Sequence, residues 1–200
     1  MTPLEADVRA RRQQEKVVRW YPMRIFHSNP KRQQMLNDLL AMDAAVESTY
    51  VARNLVDAED GTYTPALVNY IFIRTSLENL RKIKADKGKY EPLRYVVAHD
   101  RDDDNQPTTA IAHVPDKQMH DFMRVINDAN EQVVMLENLA FACKPGQKVR
   151  IRQGLFEGVE GIVKSIKKHL CVVIPIQDVM AVAITNVPRK YLQRIGDETE

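Results

Sequence analysis

The stretch that most constrains the fold runs from residue 149 to residue 166. Its first four residues alternate between apolar and basic, the period-two pattern of a strand with one buried face. Gly154, Gly158 and Gly161 then fall within eight residues, and a β-branched apolar run follows. Because glycine tolerates positive φ and lets backbones approach closely, the stretch predicts a strand, a tight turn and a second strand. Phe156, among the glycines, is placed to plug the end of a small barrel.

The spacing of these residues resembles the KOW motif, an alternating strand followed by Gly-x-Phe-x-Gly-x-x-Gly and a β-branched strand. The motif positions here are Gly154, Phe156, Gly158 and Gly161, and Leu155 stands where the family usually has proline. The resemblance implies an SH3-like β-barrel over residues 146–195, closed by residues 192–195. An unrelated small β-barrel hairpin with three glycines is the alternative.

Composition limits what the rest of the chain can be. Two hundred residues suffice for one domain or two small ones, and the net charge is only +2, so nucleic-acid contacts must come from local patches. The two cysteines, Cys143 and Cys171, are too few for a disulfide framework or a structural zinc site. No apolar run of the sequence is long enough for a membrane helix, and the N-terminus lacks the apolar core of a signal peptide. Both observations predict a cytoplasmic protein without membrane contact.

The N-terminal half reads as strands alternating with helices. Residues 1–17 predict a solvated extension, with a weak electrostatic arm for nucleic acid as the alternative. Residues 18–26 predict a strand, in which Pro22 favours an edge position or a bulge because it lacks a ladder donor. Asn29 and its neighbours Ser28 and Pro30 predict a helix start, since a capping side chain precedes a proline in the first turn.

Two groups of cations are explained either by an anionic partner or by an ordinary solvated surface. Lys31 and Arg32 occupy the first turn of that helix, where cations oppose the helix dipole, so either an anionic partner or a solvated turn explains them. Ser76 predicts a second helix start. The far side of that helix carries a basic cluster that fits either a nucleic-acid contact or a solvated face: Arg81, Lys82, Lys84, Lys87 and Lys89.

The remaining segments complete an α+β pattern. Strands are predicted at 46–57, 66–74, 93–97 and 110–114, and a helix with a core-facing stripe begins at Asp116. This order predicts helices packed on a largely antiparallel sheet over residues 18–127. Residues 128–145 form a linker that is too apolar for a free tether, so part of it is expected to pack on one domain as a short helix or an added strand. Residues 196–200 are a tail.

The first domain resembles the N-terminal (NGN) domain of NusG-type transcription elongation factors. Trp20 and Tyr21 open the first strand as in that family, and the pair Tyr70-x-Phe72 matches its central strand. The segment 111–115 matches the family's last strand and helix entry. The chain departs from the pattern at three positions, which are Leu67, Val68 and Asn69. With the KOW segment behind it, the resemblance covers residues 18–195.

This resemblance implies partners and site residues. NusG-like factors bind RNA polymerase through an apolar pocket that receives the tip of the β′ clamp helices, and the matching residues here are Leu67, Tyr70 and Phe72. For Phe72, ordinary sheet core is an equal alternative. In RfaH-like members the start of the first helix also touches non-template DNA. That role maps to Arg32, with Lys31 and His27 as neighbours.

The same resemblance gives the KOW barrel a recruiting role, toward a ribosomal protein or a termination factor. The departures at residues 67–69, the acidic loop and the apolar linker favour a specialised paralogue. In these features the chain resembles the antiterminators of polysaccharide operons, of the UpxY and RfaH type. A housekeeping NusG and a KOW-containing RNA- or ribosome-binding protein are the alternatives.

Catalysis has little support in the residues. The chain lacks a nucleophile elbow, a zinc-protease motif and a dinucleotide fingerprint, and its five histidines have no cysteine at metal-binding spacing. The acidic run 100–104 imitates a calcium loop, but Asn105 and Ile111 stand where that loop needs glycine and glutamate. A binding protein without a cofactor or metal is therefore predicted, and an enzyme is the remote alternative.

Overall fold

A computed structural model describes residues 9–10, 12–55, 63–65, 69–86, 88–101, 107–128, 132–136, 146–166, 169–176 and 179–195. The chain is a mixed α+β protein whose sheets are antiparallel, as the sequence predicts. It divides into two compact units. The N-terminal unit comprises Met1–Ala52 and Thr64–Pro115, and the C-terminal unit comprises Arg53–Tyr63 and Asp116–Glu200.

The N-terminal unit is built on a four-stranded sheet in the order β2-β5-β1-β6. Its strands are β1 (Val18–Ile25), β2 (Ser48–Tyr50), β5 (Tyr70–Ser76) and β6 (Leu93–Tyr95), and its helices are α1 (Pro30–Ala41) and α2 (Leu77–Ala85). Two short strands, β3 (Arg53–Leu55) and β4 (Tyr63–Pro65), form a separate two-stranded sheet, and β3 falls in the part of the chain that groups with the C-terminal unit. Residues 9–10 and 12–15, expected to be a solvated extension, are helical.

One face of this sheet and both helices share a core. Its buried members are Tyr21, Met23, Ile25, Leu36, Leu40, Val51, Ile71, Ile73, Leu80, Ile83, Tyr90 and Leu93. Every second side chain of β1 and β5 faces this core. Residues between them, such as Trp20 and Phe72, are buried as well, so both strands are covered on both faces over part of their length.

Pro22 lies in a central strand, so the expectation of an edge position is wrong. Within β1 it pairs opposite Phe72 of β5, while β6 pairs only with Met23 to Ile25. On the β6 side, Pro22 is therefore just outside the paired stretch. A proline is tolerated there because β6 is only three residues long and ends before reaching it.

Both predicted helix starts are confirmed. The side chain of Asn29 accepts a hydrogen bond from the Arg32 amide at 2.9 Å, and the Ser76 hydroxyl accepts one from the Asn79 amide at 3.2 Å. Each cap satisfies an otherwise unpaired amide of the first turn. Beyond α2, β7 (Val97–Arg101) and β8 (Pro107–Ile111) form a two-stranded sheet.

The C-terminal unit is built on a six-stranded sheet in the order β14-β10-β11-β12-β13-β9. Its strands are β9 (Val133–Leu136), β10 (Lys148–Ile151), β11 (Glu160–Ile166), β12 (His169–Ile176), β13 (Met180–Thr185) and β14 (Leu192–Arg194). A 3₁₀ helix, Arg189–Tyr191, precedes β14. Helix α3 (Asp116–Asn127) groups with this sheet, whereas the sequence predicts it at the end of the first domain.

The linker contributes an added strand, as its apolar composition predicts. β9 pairs with the outer edge of β13, with Val133 opposite Ile184 and Leu136 opposite Ala181. The expected closure of a barrel by residues 192–195 is not found among the described strands. Among these strands, β14 pairs with β10, and the edge of β13 that does not face β12 pairs with β9.

The glycines of the KOW-like stretch have the geometry their spacing predicts. Gly154 and Gly158 have φ values of +95° and +85°, which L side chains adopt only with strain. Gly161 lies where a Cβ atom would be 2.6 Å from the carbonyl oxygen of Val173. Phe156, between Gly154 and Gly158 in sequence, is buried; that it plugs the end of a barrel stays a prediction.

No helix of the described residues is long and apolar enough to cross a membrane.

Candidate functional site

Three chain segments meet at one end of the N-terminal sheet. The end of β1 lies beside the start of β5, where Arg24 pairs opposite Tyr70 and the Ile25 amide donates to the Asn69 carbonyl at 2.7 Å. The start of α1 is joined to the same place, because the Gln33 side chain donates to the Tyr70 carbonyl at 2.6 Å. We call this end of the sheet, with residues 24–33, 69–70 and 93–94, the basic end.

The turn from β1 into α1 sets the positions of the predicted DNA-contacting residues. His27 has a φ of 50°, a left-handed conformation that reverses the chain after β1. The Arg32 guanidinium donates to the His27 carbonyl at 2.8 Å and so holds this turn closed. Lys31, one position earlier, is exposed. The three residues therefore share one turn, with Arg32 partly engaged in holding it.

An exposed aromatic lies at the centre of the basic end. The Phe26 side chain is 55% exposed, its ring centroid is 4.0 Å from that of His27, and the Arg94 guanidinium lies 5.5 Å from the ring centroid. Cations beside an exposed ring suit a strand of unpaired bases, since bases stack on the ring while cations meet the phosphates. Sequence reasoning missed Phe26 and Arg94. Only the long-range pairing of β1 with β6 brings them together.

The predicted polymerase-binding residues are placed differently from one another. Tyr70 is half-buried at the start of β5, within the basic end. Phe72 is fully buried opposite Pro22, with its ring centroid 6.2 Å from that of Tyr50. It therefore occupies a core position, the alternative that its sequence pattern left open. Leu67 lies outside the described residues.

An apolar depression of about 480 Å³ lies along α1. Its apolar lining is Met35, Leu39 and Met42, one stripe at helical spacing, and Lys31 lies at one end. Met35 and Met42 are 52% and 85% exposed. Methionine side chains adapt to many partner shapes, so this stripe extends the candidate contact surface beyond the aromatic positions.

Three cations of the predicted basic cluster around α2 have carboxylate partners within the chain. Arg81 pairs with Glu15 at 2.7 Å, Lys82 with Glu78 at 2.7 Å and Lys89 with Asp43 at 4.0 Å, while Lys84 donates to a backbone carbonyl. Lys87 lies outside the described residues. These contacts favour a structural role for the cluster over a nucleic-acid contact.

The KOW-like turn is held by side chains of α3. The Arg124 guanidinium donates to the carbonyl oxygens of Leu155, at 2.7 Å, and Glu157. The buried Asp121 carboxylate accepts the Glu160 amide at 3.1 Å, and Lys117 donates to the Gly158 carbonyl at 3.2 Å. These three α3 residues recur every three or four positions, so they lie on one face of the helix.

No protein-family model matches the chain, and no curated protein matches it. The fold and the site define an α+β protein of two units. The N-terminal unit carries the basic end with its exposed aromatic ring, and the C-terminal unit carries the KOW-like turn with its two positive-φ glycines.

Proposed function

We propose that the chain is a NusG-like transcription elongation or antitermination factor. In this proposal the N-terminal unit is an NGN-type domain that binds RNA polymerase, and the strands from residue 146 to 195 form an SH3-like KOW module that recruits a helper. The bound factor suppresses pausing or termination. The proposal rests on the two sequence resemblances, which occur in the order that the family requires.

One observation supports it beyond the sequence. Residues assigned to two different partners, Tyr70 for the polymerase and Lys31 and Arg32 for DNA, come together at the basic end although they are far apart in the chain. A factor that bridges the polymerase and its exposed DNA strand needs both contacts on one surface.

The chemistry of the basic end fits that bridge. A half-buried tyrosine anchors a helical tip well, because a rigid ring buries a large area at little entropic cost. The exposed Phe26 ring and the cations Lys31 and Arg94 suit unpaired DNA. Phe72, fully buried against Tyr50, serves the sheet core in this proposal rather than the polymerase contact.

The polymerase contact is tested by a pull-down with purified RNA polymerase, comparing the wild type with Tyr70→Ala. We expect Tyr70→Ala to lose most of the bound polymerase. The matched control is Tyr95→Ala, which removes a half-buried tyrosine of the same unit that packs on the core. Equal retention by Tyr70→Ala and the wild type, or equal losses in both variants, would reject the assignment of Tyr70.

The DNA contact is tested by fluorescence anisotropy with single-stranded DNA at several salt concentrations. We expect Lys31→Ala to weaken binding and to reduce the slope of log affinity against log salt by about 0.7, the value for one phosphate contact on a single strand. Lys82→Ala, an exposed cation of α2 paired with Glu78, is the matched control and should leave the slope unchanged.

The specialised role, at particular operons such as polysaccharide loci, is a narrower part of the proposal. Genome-wide occupancy of the factor tests it. Association with a few operons supports a specialist, and association with most transcribed genes supports a housekeeping factor. Co-purification of ribosomal RNA without polymerase would favour a ribosome- or RNA-binding protein instead.

A further inference from the structure

A second concavity lies on the C-terminal unit, beside the KOW-like turn. It has a volume of about 260 Å³. Its lining is mainly apolar and comes from the turn, from the end of β13 and from the 3₁₀ helix: Ile151, Leu155, Phe156, Ile184, Val187, Pro188 and Tyr191, with the polar Gln132, Gln153 and Asn186. We call it the turn pocket. Its volume suits one or two apolar side chains.

The wall of the turn pocket is exposed and yet fixed. The Leu155 side chain is 55% exposed, so its apolar surface faces solvent. Its carbonyl is held by Arg124 of α3, and the next turn carbonyl, that of Glu157, is held by the same guanidinium. A wall that is already ordered loses little conformational entropy when a ligand enters, which favours binding.

Three exposed cations adjoin the lining of the turn pocket. Arg152 follows Ile151 in sequence, Arg189 follows Pro188, and Lys190 precedes Tyr191. Arg152 donates to the amide oxygen of Gln193, and the Lys190 ammonium lies 5.5 Å from the centroid of the Tyr191 ring. Within the described residues, no carboxylate lies at ion-pair distance from any of the three cations.

We propose that the turn pocket binds an acidic protein segment that inserts one apolar side chain. The inference rests on the proposed recruiting role of the KOW module and names the chemistry of its partner. The apolar lining receives the side chain, while carboxylates on either side of it pair with Arg152, Arg189 and Lys190. Apolar anchoring gives affinity, and complementary charge gives encounter rate and register.

A nucleic acid fits this surface less well. Unpaired bases bind by stacking on exposed aromatic rings. Phe156 is buried with 4% of its surface exposed, and the Tyr191 ring is half-buried with Lys190 over it. The lining therefore offers an aliphatic socket rather than a stacking platform.

The test uses the full-length protein with labelled isoleucine and leucine methyl groups, and the probe is a short peptide of aspartate and glutamate with one central leucine. Titration should shift the methyl signals of Leu155, Ile151 and Ile184. Leu155→Ala, and separately the pair Arg189→Glu and Lys190→Glu, should each weaken binding about tenfold. The matched controls, Val134→Ala and Lys148→Glu, change exposed residues of the same unit outside the pocket lining and should bind as the wild type does.

Three results would overturn the inference. In the first, a peptide with alanine in place of the central leucine binds equally well. In the second, mixed-sequence RNA moves the same signals more strongly than the acidic peptide. In the third, the signals depend on protein concentration alone, which would make the pocket a contact between copies of this chain. The assay contains no polymerase, so its failure is distinct from failure of the polymerase pull-down, in which the Leu155→Ala variant should bind normally.

Discussion

Gly161 gives the sharpest test of the C-terminal sheet. A Cβ atom at this position would lie 2.6 Å from the Val173 carbonyl oxygen and 2.7 Å from a methyl carbon of Val172, where ordinary contact begins at 3.4 Å. Val172 and Val173 are fully buried in β12, which is paired on both edges. Neither the Val173 backbone nor the buried Val172 side chain can move aside. Gly161→Ala must therefore push β11 away from β12 or distort both strands.

The loss of unfolding free energy expected for Gly161→Ala follows from comparison with Gly154→Ala. Gly154→Ala meets no atom within 4 Å, so its cost is the strain of an L residue at positive φ alone, about 1–2 kcal/mol. Gly161→Ala has no such strain but overpacks a buried strand pair, which costs about 1–3 kcal/mol and more where the backbone must move. We therefore expect Gly161→Ala to lower the free energy of unfolding by about 3 kcal/mol, more than Gly154→Ala does.

Hydrogen-exchange mass spectrometry of peptides from β11 and β12 measures this effect locally. The single tryptophan, Trp20, belongs to the N-terminal unit, so its fluorescence is an internal control for that unit. Asparagine tolerates left-handed backbone better than alanine, so Gly154→Asn should be milder than Gly154→Ala. If Gly161→Ala costs no more than Gly154→Ala, the close approach of β11 to β12 is refuted.

Three further predictions concern stability. The Ala45 amide and the Tyr90 hydroxyl donate to the Asp43 carboxylate and lower its pKa below 3.8. The ionised carboxylate therefore stabilises the folded protein fully above that pH, and this contribution is lost as the pH falls through the lowered pKa. Acid unfolding curves of Asp43→Asn should accordingly fall less steeply below pH 3.8 than those of the wild type. Ser76→Ala should cost about 1 kcal/mol in urea unfolding because it removes a helix cap, and an unchanged midpoint would contradict that role. Asp121→Ala should cost about 1–3 kcal/mol because it removes the buried carboxylate that accepts the Glu160 amide, and faster exchange of that amide should accompany the loss.

Local chemistry made part of this structure predictable. The caps at Asn29 and Ser76 and the positive φ values of Gly154 and Gly158 depend on residues within a few positions of each other, and all are as predicted. The added strand from the linker was also predictable in kind, because its apolar side chains need a partner surface.

Long-range pairing decided the features that the sequence could not supply. The position of Pro22 in a central strand depends on the short length of β6, far along the chain. The Phe26–Arg94 contact and the Arg124 bonds to the KOW-like turn likewise join distant residues. The motif around Phe72 was compatible with a pocket or with a core, and only burial in the folded sheet separates the two.

The C-terminal unit is assembled from two separate stretches of chain, Arg53–Tyr63 and Asp116–Glu200. Synthesis on the ribosome delivers the first stretch well before the second. The N-terminal sheet can form as soon as residue 115 has emerged, whereas the early stretch must wait for strands made last. A fragment that begins at residue 116 lacks that stretch altogether, so gene dissection at this boundary would yield an incomplete module.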